Sequence, residues 1–356
     1  MVVAKSDPRK QADDRATSAP TMPPQVAMMQ MANAYRVSQA IHVAAKLGIA
    51  DVLSDGAKSI PVLAAATQTH PQALYRLLRA LASMGIFAET ETGEFALTPR
   101  AATLRSNVPG SLRDYAIVLG ETWHWQTWGD ILYSVQTGQP AFDHLYGMEF
   151  LDYLAQHPDL ASAFDRSMVS LLETIDNGIL AHYTFTKTIV EVGIPGGYGS
   201  LLARILKADS SLSGIFFDLA PGIALAQSLL TAQGVSDRCQ LTTGDVFESL
   251  PQGGDVYILK NLIHDWDDDT AGKILQNCRK AMHETAKLLV VEMLIPPGNA
   301  PALSKIIDIE ALIMSAGGYE RTEAQYRSLF AIAGLTVTKV IATRSPFSLI
   351  EAVRTN

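Results

Sequence analysis

The residues best suited to chemistry in this chain lie in its second half, at the ends of apolar runs. His264 opens "HDWDDD" just after the run "DVYILKNLI", where a histidine can accept a proton near neutral pH. The same residue also suits a core or capping role, with Asp265 to Asp269 as a solvated helix start. Two carboxylates weigh on the catalytic side. Glu292 ends the run "KLLVVEML", and Glu320 stands in "GGYERT". A carboxylate on one imidazole nitrogen fixes the tautomer and leaves the other nitrogen as a base. Glu320 equally suits a cap or an ion pair beside Arg321.

Other strand ends point to a ligand. Asp218 and Leu219 close "FFDLA", and Asp245 stands in "GDVF" before Val246 and Phe247. A carboxylate accepts two hydrogen bonds side by side, which suits ribose hydroxyls. An acid followed by two apolar residues suits an adenine ring. The loop "EVGIPGGYGS" has Glu191, Gly193, Gly196, Gly197 and Gly199, interrupted by Ile194 and Pro195. No GxxxxGK[ST] occurs, which excludes a triphosphate cradle of that type. A nicotinamide fingerprint also fails, because Leu202 stands where the third glycine would follow Gly197 and Gly199. An adenosine without a pyrophosphate remains, and S-adenosylmethionine meets that description.

The elements that must position these groups are legible as patterns. From residue 188, seven apolar strand candidates alternate with amphipathic helices, which predicts a parallel sheet covered on both faces. The last two strands are joined only through "RSPF", too short for a crossover, so they are expected to pair antiparallel. Ligands of such sheets sit beyond the carboxyl ends of the strands. Residues 1–24 read as a disordered tail. Residues 25–105 read as three helices and a hairpin around Thr92-Gly93, a winged-helix pattern. Such a module binds DNA or serves dimerisation. Only Arg76 and Arg79 mark its recognition helix, and Glu89, Glu91 and Glu94 would meet phosphates with repulsion, so no nucleic acid is expected. Residues 106–185 read as a helical substrate-pocket region, and residues 186–356 as the cofactor-binding domain. Three of four tryptophans, Trp123, Trp125 and Trp128, fall in the helical region, as core or as an aromatic wall for a flat ligand.

The bulk properties agree. The 356 residues are 48% hydrophobic and 18% charged, with net charge −8, so the chain lacks a basic excess for nucleic acid. Two cysteines, Cys239 and Cys278, argue against a disulfide framework or a cysteine zinc site. No apolar run of about 18 residues occurs, nor a signal core, so a cytoplasmic protein without a membrane span is expected.

From about residue 30 to the C-terminus the chain resembles the plant-type and bacterial small-molecule O-methyltransferases, such as caffeic acid O-methyltransferase and polyketide-tailoring enzymes. The residues that carry the likeness are "FFDLA", "GDVF", "HDWDDD", "VVEML" and "GGYERT" at these relative positions. The resemblance implies a Rossmann-like class I methyltransferase sheet, a winged-helix dimerisation domain and a homodimer. It implies His264 as general base toward a hydroxyl of a small aromatic or polyketide-like substrate, with Glu292 and Glu320 flanking it. Asp218 would hold the ribose of S-adenosylmethionine, Asp245 with Val246 or Phe247 the adenine, and Lys260 and Trp266 would stand near the cofactor. Met168, Trp123, Trp128 and Asp265 are the candidate substrate contacts. No metal is implied. The family's first motif runs acid, apolar residue, three glycines, any residue, glycine. With Glu191 as its acid, Ile194 and Pro195 are an insertion. Without a gap, Gly193 takes the acid's place and Pro195 that of a glycine; the 19 residues from Gly199 to Asp218 favour anchoring the later part. Proline removes a donor N–H where a close backbone approach is wanted. Two further readings follow: a member that binds the cofactor without transferring its methyl, and a cofactor-free binding protein.

Overall fold

The computed structural model describes residues 22–194 and 197–355. Its N-terminal part holds helices α1 (Pro24–Ala32), α2 (Tyr35–Lys46), α3 (Ile49–Val52), α4 (Ile60–Thr67) and α5 (Pro71–Ala82), then a hairpin of β1 (Phe87–Glu89) and β2 (Phe95–Leu97). Leu74, Leu78 and Leu81 repeat at helical spacing on α5, and all three are buried with Phe87 and Phe95 of the hairpin. Apolar residues at helical spacing run from Ala34 to Leu53, yet the segment forms two helices. Gly48 takes a left-handed conformation (φ 68°) between α2 and α3, which ends a helix at low steric cost.

A helical region follows: α6 (Pro99–Ala102), α7 (Arg113–Gly120), α8 (Thr122–Gly129), α9 (Ile131–Thr137), α10 (Ala141–Tyr146), α11 (Phe150–Gln156) and the long α12 (Pro158–His182). Its aromatic residues largely pack on one another: Trp123 stacks on Phe150 at 5.1 Å and meets Phe142 edge-on. Trp123 is therefore core, at 6% exposure, rather than a wall open to a ligand.

The remainder is one seven-stranded sheet. Strands β3 (Thr188–Val192), β4 (Ser213–Asp218), β5 (Cys239–Thr243), β6 (Val256–Lys260), β7 (Lys287–Met293), β8 (Leu335–Ala342) and β9 (Phe347–Arg354) lie in the order β5-β4-β3-β6-β7-β9-β8. The first five are parallel, whereas β9 runs antiparallel to both β7 and β8, as the short link requires. Helices α13 (Ser200–Ala208), α14 (Ala220–Ala232), α15 (Asp268–Ala281), α16 (Ser304–Met314) and α17 (Glu323–Ile332) accompany the strands. Alternate strand residues feed two cores: Ile189, Phe216, Ile258 and Leu289 on one face, Val190, Phe217, Leu259 and Val290 on the other. The strand order reverses between β3 and β6, opening a crevice at their carboxyl ends.

Candidate active site

The carboxyl end of β6 turns sharply. Asn261 adopts a left-handed conformation (φ 53°), tolerated by asparagine, and the chain enters a single 3₁₀ turn at Ile263–Asp265. Beside it, Glu292 on β7 is fully buried. One of its oxygens, Oε1, accepts the N–H groups of Leu262 (2.9 Å) and Ile263 (2.7 Å), and Oε2 lies 2.8 Å from His264 Nδ1. A carboxylate accepts, so Nδ1 donates, and a neutral ring then carries its lone pair on Nε2. The nearest charged group to Nε2 is Asp265 Oδ1 at 3.3 Å.

Glu320 completes the cluster. It is buried, its N–H donates to Asp308 Oδ1 on α16 at 2.8 Å, and its own Oε2 has no hydrogen-bond partner. Burial raises the affinity of this carboxyl for a proton. For His264, burial opposes the charged form, but the carboxylates of Glu292, Asp265 and Glu320 outweigh it and lift the ring to about 10.

Arg321, read from sequence only as a partner for Glu320, has a different task. Its fully buried guanidinium donates to the carbonyls of Ile263 (3.2 Å) and Trp266 (2.7 Å) and to Asp268 Oδ1 (2.9 Å). It thus clamps the backbone on both sides of His264, and it lies 4.0 Å from the Tyr319 ring centroid. Tyr319 N–H donates to the His264 carbonyl at 2.8 Å. That approach needs Gly318, where a Cβ would stand 3.0 Å from the same carbonyl and 2.4 Å from Ser315 Oγ. An isolated arginine in a sequence carries no sign of such a role.

On the crevice's other side, the buried Glu191 accepts the N–H of Leu202 at 2.8 Å, at the start of α13. Pro195 and Gly196 fall outside the described residues. Around them, Ile194 is buried, Gly197 N–H donates to the Ile194 carbonyl at 3.0 Å, and Gly199 has φ 77°. Lys260, buried within the sheet, puts its ammonium 2.7 Å from Asp176 on α12 and 3.9 Å from Glu191. The ammonium is thereby paired with two acids.

Asp218 stands at the tip of β4 with Oδ1 accepting the N–H of the exposed Leu219 (2.7 Å). Its Oδ2 lies over Gly193 and Gly222, where a Cβ would come within 2.2 and 1.9 Å of it. Asp245 Oδ1 accepts the N–H of Phe247 at 2.8 Å, and Asn277 donates to the carbonyls of Val246 and Phe247. Phe247 meets Trp266 edge-on at 4.9 Å, and Trp266 Nε1 is buried without a partner. An acceptor over two glycines, an apolar pair beside Asp245 and an unpaired indole N–H fit an adenosine. Partial burial raises Asp218 from the usual carboxylate range, as expected of an acid short of donors.

On the substrate side, Met168 of α12 is half-buried against the sheet core. Trp128 donates through Nε1 to Glu310 Oε2 at 2.5 Å. Among the described residues, no group of three His, Cys, Asp or Glu side chains converges as for a metal ion, and no helix is long and apolar enough to cross a membrane.

Comparison with known proteins identifies the family. Residues 128–336 match the model of the O-methyltransferase domain, and residues 29–107 match the O-methyltransferase dimerisation domain. The chain is 41% identical over 327 residues to phenazine O-methyltransferase PhzM of Lysobacter antibioticus, covering 91% of this chain and 95% of that one. It is 38% identical to O-demethylpuromycin-O-methyltransferase of Streptomyces alboniger, over 89% of this chain and 86% of that one. The solved structure of CalO1, a methyltransferase in calicheamicin biosynthesis in its SAH-bound form, is 31% identical; it superimposes with a TM-score of 0.85 over 94% of this chain and all of that chain. The chain belongs to the O-methyltransferase family, enzymes that take their methyl group from S-adenosylmethionine.

Proposed function

We propose that the chain methylates a hydroxyl of a small aromatic or polyketide-like molecule, as a homodimer, with His264 as the general base. The observation that carries this reading is the contact between Glu292 and His264 Nδ1, at 2.8 Å, which leaves Nε2 to meet a substrate O–H. A free phenol ionises near pH 10, so a positioned base is needed at neutral pH. Glu292 orients the ring, and Glu320 and Asp265 add negative charge that favours its protonated form once the proton has moved. Asp218 is assigned to the ribose hydroxyls, and Asp245, Val246, Phe247 and Trp266 to the adenine. Glu191, Gly193, Gly197 and Gly199 are assigned to the remainder of the cofactor. When bound, S-adenosylmethionine supplies an electrophilic methyl on a sulfonium, so the protein's remaining task is alignment. Met168 and Trp128 line the acceptor side.

The dimer is supported by the match to the dimerisation domain and by α1, whose Met28, Met29 and Met31 are 66%, 63% and 72% exposed. Calorimetry with S-adenosylmethionine and S-adenosylhomocysteine tests the reading directly. Binding of both is the expected result, and absence of both overturns it.

A further inference from the structure

Glu310 is an acid on an otherwise apolar helix face, and the methyl-transfer reading does not use it. Ile307, Glu310, Ala311 and Met314 share one side of α16, being three, four and seven residues apart. Ile307 packs against the core that also receives Met168 and Leu262, the residue two before His264. Met314 packs with Phe164 against the cluster of Trp123 and Phe142. Ile307, Glu310, Ala311, Met314, Met168 and Phe164 are all half-buried. One end of the face thus joins the core that Leu262 and Met168 also enter, the other joins the cluster of Trp123 and Phe142, and Glu310 stands between the two in sequence.

That carboxylate is held in place. Its Oε1 lies 2.8 Å from His124 Nε2, and its Oε2 accepts from Trp128 Nε1. His124 Nδ1 lies 2.9 Å from the Leu119 carbonyl, which anchors the ring from its other side. Two donors fill about half of a carboxylate's acceptor positions, and the Glu310 side chain remains 28% exposed. What it still offers is acceptors alone. The Tyr115 phenol, pushed up by burial and then by the Glu310 charge, stands close enough to feel it.

We propose that Glu310, fixed by His124 and Trp128, determines specificity by binding a second hydrogen-bond donor on the methyl acceptor. The substrate class is then a flat ring system bearing, besides the methylated hydroxyl, another O–H, an amino group or a ring N–H. This rests on the methyl-transfer reading for the identity of the reaction, but acceptor binding is measurable without methyl transfer.

The experiment is a tryptophan-fluorescence titration of the S-adenosylhomocysteine-loaded protein with 2,7-dihydroxynaphthalene and with 2-naphthol. The wild type is expected to bind the diol at least about tenfold tighter, the scale of one hydrogen bond to a charged group. In the double variant Glu310→Leu with His124→Leu, which removes the carboxylate and the imidazole together and leaves Trp128 Nε1 without that acceptor, the ratio is expected to fall to about one. Glu310→Gln, which keeps one carbonyl acceptor, is expected to give an intermediate ratio. Equal binding of the two naphthols by the wild type, binding of neither, or an unchanged ratio in the double variant overturns the assignment. Loss of cofactor binding in calorimetry is a separate result, and it counts against methyl transfer instead.

Discussion

The two polar clusters of this site are built in opposite ways. Around His264, backbone groups do most of the holding: Glu292 takes two N–H groups, Arg321 takes two carbonyls, and Tyr319 N–H takes a third. Around Glu310, side chains from different elements meet, across 186 residues to His124 and 182 to Trp128. The first arrangement survives only if strand ends and loop keep their course. The second can change by substitution without disturbing the sheet. The contrast separates a fixed reaction group from a variable recognition group.

Replacing the reaction group should have the largest effect. His264→Ala is expected to lower kcat about a hundredfold to ten-thousandfold. Affinity for S-adenosylhomocysteine, measured by calorimetry, should remain within about twofold. A parallel loss of affinity would place His264 in the cofactor's site and collapse the distinction between base and binding groups.

Arg321→Leu sharpens the comparison through stability. It bares two carbonyls beside the base, and a cost of about 3 kcal/mol is expected from urea unfolding. Glu310→Leu, in a partly exposed cluster, should cost about 1 kcal/mol by the same measurement. Equal costs would mean that the two clusters are held alike.

The cofactor side gives smaller effects. Asp218→Ala should weaken S-adenosylhomocysteine binding about tenfold to a hundredfold, through the lost ribose hydrogen bonds. Pro195→Gly should change it by less than about tenfold, because Asp218, Asp245 and the glycines remain. A larger effect at Pro195 would make the glycine loop, rather than the strand-tip acids, the chief cofactor contact.

Much of the frame is legible in the sequence. Strand periodicity located all seven strands, and the short "RSPF" link set the antiparallel pair. His264 and Glu292 could be singled out because each ends an apolar run, and parallel neighbouring strands bring such ends together. Pairings between distant side chains left no such trace. Lys260 meets Asp176 across 84 residues, so nothing in its strand announced a buried ion pair. Arg321 works through carbonyls, which every residue carries. Trp123 and Trp128 differ by little more than one helical turn, yet one is packed in core and the other donates to Glu310. Only the neighbours on α10, α11 and α16 separate them.

The central claim is that the carboxylates orient His264 and hold its proton, and pH tests it most directly. With its pKa raised to about 10, the neutral ring that acts as base is a minor fraction at neutrality and grows as pH rises toward that value. The stability from this raised pKa is complete below about pH 6.5, the ordinary histidine value, and is lost as pH approaches 10. The profile of kcat/KM should therefore rise through the alkaline range while urea stability falls. In Glu292→Gln the inflection should move toward neutrality, since the first of the charges that raise His264 is gone. A profile flat from pH 7 to 10, or an inflection that Glu292→Gln leaves in place, would contradict the account.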